Sequence, residues 1–174
     1  MIDDGLVEDT PRTAAAADGA ALKLEEFLPY RLNVVSSLTS QALSSIYAER
    51  YRIGVPEWRV LVTLGQYGVM TGKAVGSHSH MHKTKVSRAV ALLERRKLVA
   101  RRTNKADMRE AFLSLTPAGR AIYQDLAPIA QEFVARLSND INAAERAAFE
   151  RVLTLLIERA AILASERYMT RAVG

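Results

Sequence analysis

Cysteine is absent from the 174 residues of the chain. This absence excludes disulfide bonds, thiolate metal sites and thiol-based redox sensing. Aromatic residues are few, at 6%, and no apolar run approaches the roughly 18 residues that a membrane span needs. The amino terminus has no basic region followed by an apolar block. We therefore expect no secretory signal and a cytoplasmic protein.

Acidic residues are scarce in one part of the chain, residues 82–109. That segment holds ten lysines and arginines against two acids, Glu94 and Asp107. The segment therefore carries a charge of +8, whereas the whole chain carries +5 and the remainder −3. A protein that is basic in one place is expected to bind a polyanion there. A solvated charged face is the alternative interpretation.

The three histidines all lie in the stretch SHSHMHKTKVSRAV, which begins at Ser77. Zinc sites use about four ligands from Cys, His or carboxylates, and the lysines beside these histidines would repel a cation. We assign no metal site, and a metal-responsive regulator that uses His78, His80 and His82 stays as an alternative. Because the chain has no HExxH, no GxSxG and no phosphate-cradling glycine loop, we expect no enzyme and no cofactor.

Long helices are predicted towards both ends of the chain. Apolar residues recur at three- and four-residue steps between Glu25 and Tyr51, which is the spacing of one helix face. Near the other end, Thr116 is a suitable cap for a helix that runs to roughly Leu137. A last helix is expected to end near Tyr168.

The pattern changes in the middle of the chain. Short helices are predicted over residues 56–67 and 71–79, followed by a helix over 81–96 with a basic polar face. Two short strands then follow, over 98–103 and 111–115, with a polar loop between them. Two short helices, a basic helix and a hairpin are the arrangement of a winged helix-turn-helix. The predicted fold is mainly α with a small β-hairpin wing, and it suits duplex DNA.

Two segments, KTKVSRAVALLERRKLVARR and DMREAFLSLTPAGR, resemble the MarR family of transcriptional regulators. The similarity extends over about residues 24–168. The family pattern is an Asp-x-Arg in the wing, followed by Leu-Thr and a nearby glycine. The matching residues here are Asp107, Arg109, Leu115, Thr116 and Gly119.

This resemblance implies a homodimer whose outer helices interleave. It divides the chain into a dimerisation region, residues 24–55 and 116–170, and a winged helix-turn-helix DNA-binding domain, residues 56–115. Residues 1–23, which have no apolar stripe, are expected to form a disordered tail. A twofold dimer would read an inverted repeat in double-stranded DNA.

The resemblance also implies which residues contact DNA. The recognition helix would begin near His82 and lie in the major groove, and the wing would reach the adjacent minor groove or the backbone. Arg109 would enter the minor groove, Asp107 would orient it, and Lys105 would meet a phosphate. The full set of expected DNA-binding residues is His82, Lys83, Thr84, Lys85, Ser87, Arg88, Lys105, Asp107 and Arg109.

Many family members are repressors that a small ligand, often an aromatic acid, releases from DNA. The resemblance implies a ligand pocket between the dimer helices and the winged domain. Arg31 would bind an anion there, and Tyr47 and Trp58 would contact a ring. The alternative is that Trp58 belongs to the core and Arg31 to the surface. The run from Tyr30 resembles members that control the breakdown of aromatic acids, some of which respond to a coenzyme A thioester.

Two residues depart from the family pattern. Lys97 and His80 stand where relatives usually or often have glycine, so we expect both to adopt the left-handed conformation. The sequence thus predicts a homodimeric, sequence-specific repressor that an aromatic-acid-type ligand or its thioester releases from a palindromic operator. A nonspecific architectural DNA binder is the remaining alternative.

Overall fold

The computed structural model describes residues 22–103 and 110–172 of the chain. Most of the predicted tail lies outside them, as do the wing residues Lys105, Asp107 and Arg109. The elements along the described residues are a 3₁₀ turn Leu24–Glu26, α1 Leu28–Tyr51, α2 Val55–Tyr67, β1 Met70–Thr71, α3 Gly72–Ser79, α4 Lys83–Arg95, β2 Val99–Thr103, β3 Ala111–Leu115, α5 Pro117–Leu137 and α6 Ala143–Ala172.

This order confirms the predicted fold, which is mainly helical with a small antiparallel sheet. The predicted start of the first helix at Glu25 is wrong by three residues. Pro29 suits only the first turn of a helix, so α1 begins at Leu28 and the residues before it form a separate 3₁₀ turn. The last helix extends past the predicted end at Tyr168 to Ala172.

The chain divides between Gln41 and Ala42 into two compact units. The described part of the first unit, residues 22–41, contains the 3₁₀ turn and the beginning of α1. Its apolar side chains are largely exposed, among them Leu32, Val35 and Leu38.

The core of the second unit is built around α2. Val60 and Leu61 of α2 are fully buried, as are Val75 of α3 and Leu93 of α4. The buried residues of α4 are Val86, Ala89, Val90 and Leu93. They recur at helical spacing, which places the polar residues of α4 on the opposite face.

The sheet has the strand order β1-β3-β2, with antiparallel pairing throughout. Val99 pairs with Leu115 and Thr103 with Ala111, so β2 and β3 form the predicted hairpin. The short strand β1 was not predicted. It precedes α3 and pairs with the other side of β3, where Met70 faces Leu113. The wing is thereby hydrogen-bonded to the helix-turn-helix.

Side-chain caps fix several helix boundaries. The hydroxyl of Thr71 accepts a hydrogen bond from the backbone nitrogen of Ala74 at 3.2 Å, and Thr116 caps α5 in the same way. Asn142 and Glu145 exchange two bonds of 3.0 Å in a capping box before α6. No helix in the described part of the chain is both long and apolar enough to cross a membrane.

Candidate nucleic-acid interface

The polar face at the start of α4 is exposed and basic. Its members are the recognition-helix residues predicted to bind DNA, and we refer to them as the reading face. All six are exposed, while Val86 between them is buried in the core. The reading face consists of His82, Lys83, Thr84, Lys85, Ser87 and Arg88.

His82 is the N-cap of α4. Its backbone is extended, and its Nδ1 atom accepts a hydrogen bond from the backbone nitrogen of Thr84 at 3.4 Å. The first turn of a helix leaves backbone N–H groups unpaired and carries a partial positive charge. The cap therefore places Lys83 and Lys85 at a helix end that already favours phosphate.

The three histidines have separate structural roles. His78 packs its ring against Tyr67, with ring centroids 4.3 Å apart. His80 ends α3 in the left-handed conformation, at φ 50°, as its glycine-like position predicted. His82 caps the following helix. Within residues 22–103 and 110–172, no group of three or more His, Asp or Glu side chains is arranged to hold a metal ion.

A groove of about 690 Å³ lies between α3, the start of α4 and the sheet. It brings together Lys73, Lys83 and Arg101 from three different elements, and Glu110, which directly precedes β3, also lines it. Three cations from separate elements converge on one concave surface. Glu94 pairs with Arg101, so Lys73 is the cation that the groove adds beside the reading face.

Arg101 of β2 forms an ion pair with Glu94 of α4. The guanidinium donates from Nε to Oε1 at 2.8 Å and from Nη2 to Oε2 at 3.0 Å. The hydrogen bond to Glu94 raises the pKa of Arg101. This two-point contact fixes the start of the hairpin against α4.

Thr116 joins the start of the wing to the start of α5. Its hydroxyl donates to the carbonyl of Lys97 at 2.8 Å, and its backbone nitrogen donates to the carbonyl of Leu98 at 3.1 Å. The backbone nitrogen of Gly119 donates to the same hydroxyl, and a Cβ at Gly119 would collide with the Leu98 carbonyl. The Leu-Thr and glycine pattern thus has a structural reason. Lys97 adopts φ 58°, as predicted.

The proposed effector residues fall in two places. Tyr47 and Trp58 stack in the core of the second unit, with ring centroids 5.6 Å apart and ring planes 23° apart. Burial raises the pKa of the Tyr47 hydroxyl. Arg31 is an exposed residue of the first unit. A ligand pocket that uses these three residues stays a prediction.

Three contacts between different elements were missed from the sequence. The first is the Glu94–Arg101 pair. The second is made by Arg96, whose guanidinium donates to backbone carbonyls at the end of α1. The third joins Asp125 of α5 to residues of α1. The two residues of each contact are 7 to 75 positions apart in the sequence. The local sequence therefore does not indicate which charged side chains form pairs.

The MarR family model matches residues 53–111 of the chain. A MarR family transcriptional regulator from Silicibacter pomeroyi DSS has a similar structure, with 26% identity and a TM-score of 0.69. The match covers 79% of this chain and 91% of that one. Among curated proteins, none matches the sequence significantly.

Two further solved structures share the fold. The S. aureus MepR–DNA complex matches with 21% identity and a TM-score of 0.70, over 77% of this chain and 98% of that one. Bordetella bronchiseptica BpsR, whose DNA binding is regulated by 6-hydroxynicotinic acid, matches with 23% identity and a TM-score of 0.61, over 72% and 98%. The helix-turn-helix, the wing and the outer helices all fall within the fold of this family.

Proposed function

We propose that the chain is a DNA-binding transcriptional regulator of the MarR family, and that it acts as a homodimeric, sequence-specific repressor that a small aromatic acid releases from a palindromic operator. Members of this family regulate transcription and are not enzymes. The reading face carries the proposal. It presents Lys83, Lys85 and Arg88 on one exposed side of a helix whose other side is fixed in the core.

The geometry of this face suits the major groove of double-stranded DNA. That groove admits an α-helix, and arginine and lysine bind guanine edges and phosphates there. The wing base is held by the Glu94–Arg101 pair. From that base, Arg109 would enter the neighbouring minor groove, Asp107 would orient Arg109, and Lys105 would meet a phosphate. The MepR complex shows that a protein of this fold binds DNA. Residues 56–115 would form the DNA-binding domain.

The exposed apolar side chains of the outer helices support a homodimer. In α6, Leu155, Ile157 and Leu163 are each more than half exposed, and the first unit also leaves apolar residues of α1 in solvent. A second copy that covers these residues would bury apolar surface at a favourable free energy. Residues 24–55 and 116–170 would form the dimerisation region.

A twofold dimer presents its two recognition helices to successive major grooves on one side of the duplex. The expected operator is therefore an inverted repeat whose half-sites are about 34–36 Å apart. Such a site in the promoter of the protein's own gene would place the repressor where it blocks transcription. The protein would act in the cytoplasm.

An aromatic acid is the proposed effector class. BpsR has the same fold and responds to 6-hydroxynicotinic acid, an aromatic acid. In this chain, Tyr47 and Trp58 supply stacked rings and Arg31 an exposed cation. The coenzyme A thioester of such an acid is the second form to be tested.

The first experiment measures DNA affinity by fluorescence anisotropy at fixed salt. We expect the promoter duplex of the protein's own gene to bind at least about a thousandfold more tightly than a random duplex. Arg88→Ala and Arg109→Ala should each weaken operator binding by about 1–3 kcal/mol, whereas Arg120→Ala on α5 is the control. Equal affinity for both duplexes would contradict the proposal and favour an architectural DNA binder.

The second experiment tests the dimer and the effector separately. Light scattering should give twice the chain mass, and Leu163→Glu should yield monomers while the charge-changing control Arg159→Glu does not.

An aromatic acid or its thioester should lower operator affinity in the wild type, and Arg31→Gln should reduce that response without changing the affinity of the free protein for DNA. A monomeric wild type, or no response to any such acid, would contradict the corresponding part of the proposal.

A further inference from the structure

Arg96 connects the end of the recognition helix to the end of α1. It directly follows α4, and its guanidinium reaches across to the last turn of α1. Nη2 donates to the carbonyl of Tyr51 at 2.7 Å, and Nη1 donates to the carbonyl of Arg52 at 3.1 Å. A single side chain therefore joins two elements that are more than 40 residues apart in sequence.

The carbonyls that Arg96 binds are suited to a cation. The last four carbonyls of a helix have no partner within the helix, and they carry its partial negative charge. Arg52 adopts φ 48°, and α1 ends immediately before it. The planar guanidinium binds the two successive carbonyls with two donors at once, which a lysine ammonium cannot do in the same geometry.

The same turn of α1 is also held by α5. The hydroxyl of Tyr51 donates to Oδ2 of Asp125 at 2.9 Å, and Nη1 of Arg50 lies 2.9 Å from the same oxygen. This hydrogen bond to Asp125 raises the pKa of Tyr51. The end of α1 is thus bound on one side by Asp125 of α5 and on the other by Arg96 after α4.

We propose that Arg96 is a positioning residue that sets the orientation of the recognition helix relative to the junction of α1 and α5. The inference rests on the proposed function, because orientation matters only if the reading face reads DNA. A movement of the α1–α5 junction would displace the carbonyls of Tyr51 and Arg52. Arg96, which is hydrogen-bonded to both, would transmit that movement to α4. Arg96 would affect DNA binding without contacting DNA.

The competing interpretation is that Arg96 binds a phosphate, since it is one of the ten basic residues of 82–109. The two roles differ in their salt dependence. Each phosphate contact adds about 0.9 to the slope of log affinity against log salt on duplex DNA. A positioning residue changes operator affinity and discrimination between sequences but leaves that slope unchanged.

The test compares Arg96→Gln and Arg96→Lys with Arg95→Gln, which removes the same charge from the neighbouring exposed position. Operator and random duplexes are titrated over a series of salt concentrations. We expect both Arg96 variants to lose operator affinity by about tenfold and to bind random duplex with the wild-type salt slope. Arg95→Gln should keep the wild-type ratio between the two duplexes.

Several results would overturn the inference. A reduced salt slope in Arg96→Gln with full rescue by Arg96→Lys would identify a phosphate contact. Wild-type operator affinity in both variants, even with a lower melting temperature, would leave Arg96 a purely structural role. If the wild type itself does not distinguish operator from random duplex, the proposed function fails instead. The amide chemical shifts of the free protein then test whether Arg96 links α1 to α4. Arg96→Lys should shift α1 and α4 signals together, and a shift confined to α4 would contradict the link.

A milder variant approaches the link from its other side. Tyr51→Phe removes only the hydroxyl that binds Asp125 and should fold normally. If the contacts act as one chain, Tyr51→Phe and Arg96→Lys should be non-additive in operator affinity. Strict additivity of the two substitutions would show that the contacts are independent and would contradict the proposal.

Discussion

Glu94 of α4 and Arg101 of β2 are joined by two hydrogen bonds, of 2.8 and 3.0 Å. The two residues come from different elements, yet their planar groups face each other with both donors matched. The pair is partly exposed, so its contribution to the free energy of unfolding is small, about 0.2–1 kcal/mol. Its main effect is to hold the wing at one angle to α4.

Glu94→Gln should therefore affect DNA recognition more than stability. We expect a loss of at most about 1 kcal/mol in urea unfolding and a higher affinity for random duplex, because a negative charge near the DNA is removed. The ratio of operator to random affinity should fall. Glu110→Gln is the control, because it removes an acid from the groove that Arg101 lines without breaking the pair. If both variants change the ratio equally, the Glu94–Arg101 pair does not orient the wing.

Gly119→Ala should destabilise the protein strongly. The added Cβ would collide with the backbone carbonyl of Leu98, which is itself held by Thr116 and cannot move freely. We expect a loss of about 2–4 kcal/mol in thermal or urea unfolding. Gly72→Ala is the matched control, because a Cβ there meets nothing within 4 Å. Equal stabilities of the two variants would show that α5 does not pack this closely on Leu98.

Lys97→Gly should stabilise the protein. Lys97 adopts φ 58°, which costs a residue with a Cβ about 1–2 kcal/mol. Glycine removes this cost but gains freedom in the unfolded chain, so the net gain is about 0.5–1 kcal/mol and the melting temperature rises by about 1–4 °C. Lys97→Ala removes the charge and keeps the Cβ, so it should give no such gain. A gain as large in Lys97→Ala would point to charge rather than backbone strain.

The Tyr51–Asp125 contact should contribute to stability in a pH-dependent way. The raised pKa of Tyr51 means that folding favours the protonated hydroxyl. The contribution is therefore complete below the usual tyrosine value near 10 and is lost as the pH rises through the raised value. We expect the difference in unfolding free energy between wild type and Tyr51→Phe to be constant from pH 7 to 9 and to shrink above 10. Tyr67→Phe serves as the control for loss of a hydroxyl.

Local chemistry in the sequence was sufficient to predict most helix and strand boundaries. The α5 helix runs from Pro117 to Leu137, as predicted from the Thr116 cap. The hairpin strands were predicted to within one residue. The left-handed conformations of His80 and Lys97 also followed from their positions in the family pattern.

Contacts between distant residues were not predictable in the same way. Strand β1 has two residues, too few for an alternating pattern, and it forms only because β3 lies beside it. The charge of Arg96 and Arg101 was visible in the sequence, but their partners depend on how α1, α4 and β2 pack. Both belong to the basic segment 82–109, and the structure uses both guanidinium groups within the protein.

The central position of β3 determines how the sheet and the helices beside it unfold. Phe112 and Leu113 have paired strands on both sides, one from the wing and one from the segment that leads into α3. To separate the wing from the helix-turn-helix, the chain would have to break the β1 pairing and expose the core residue Leu113. The hairpin and the helices should therefore unfold as one cooperative unit. Amide hydrogen exchange at Leu113 should then be as slow as at Leu61 in the middle of α2.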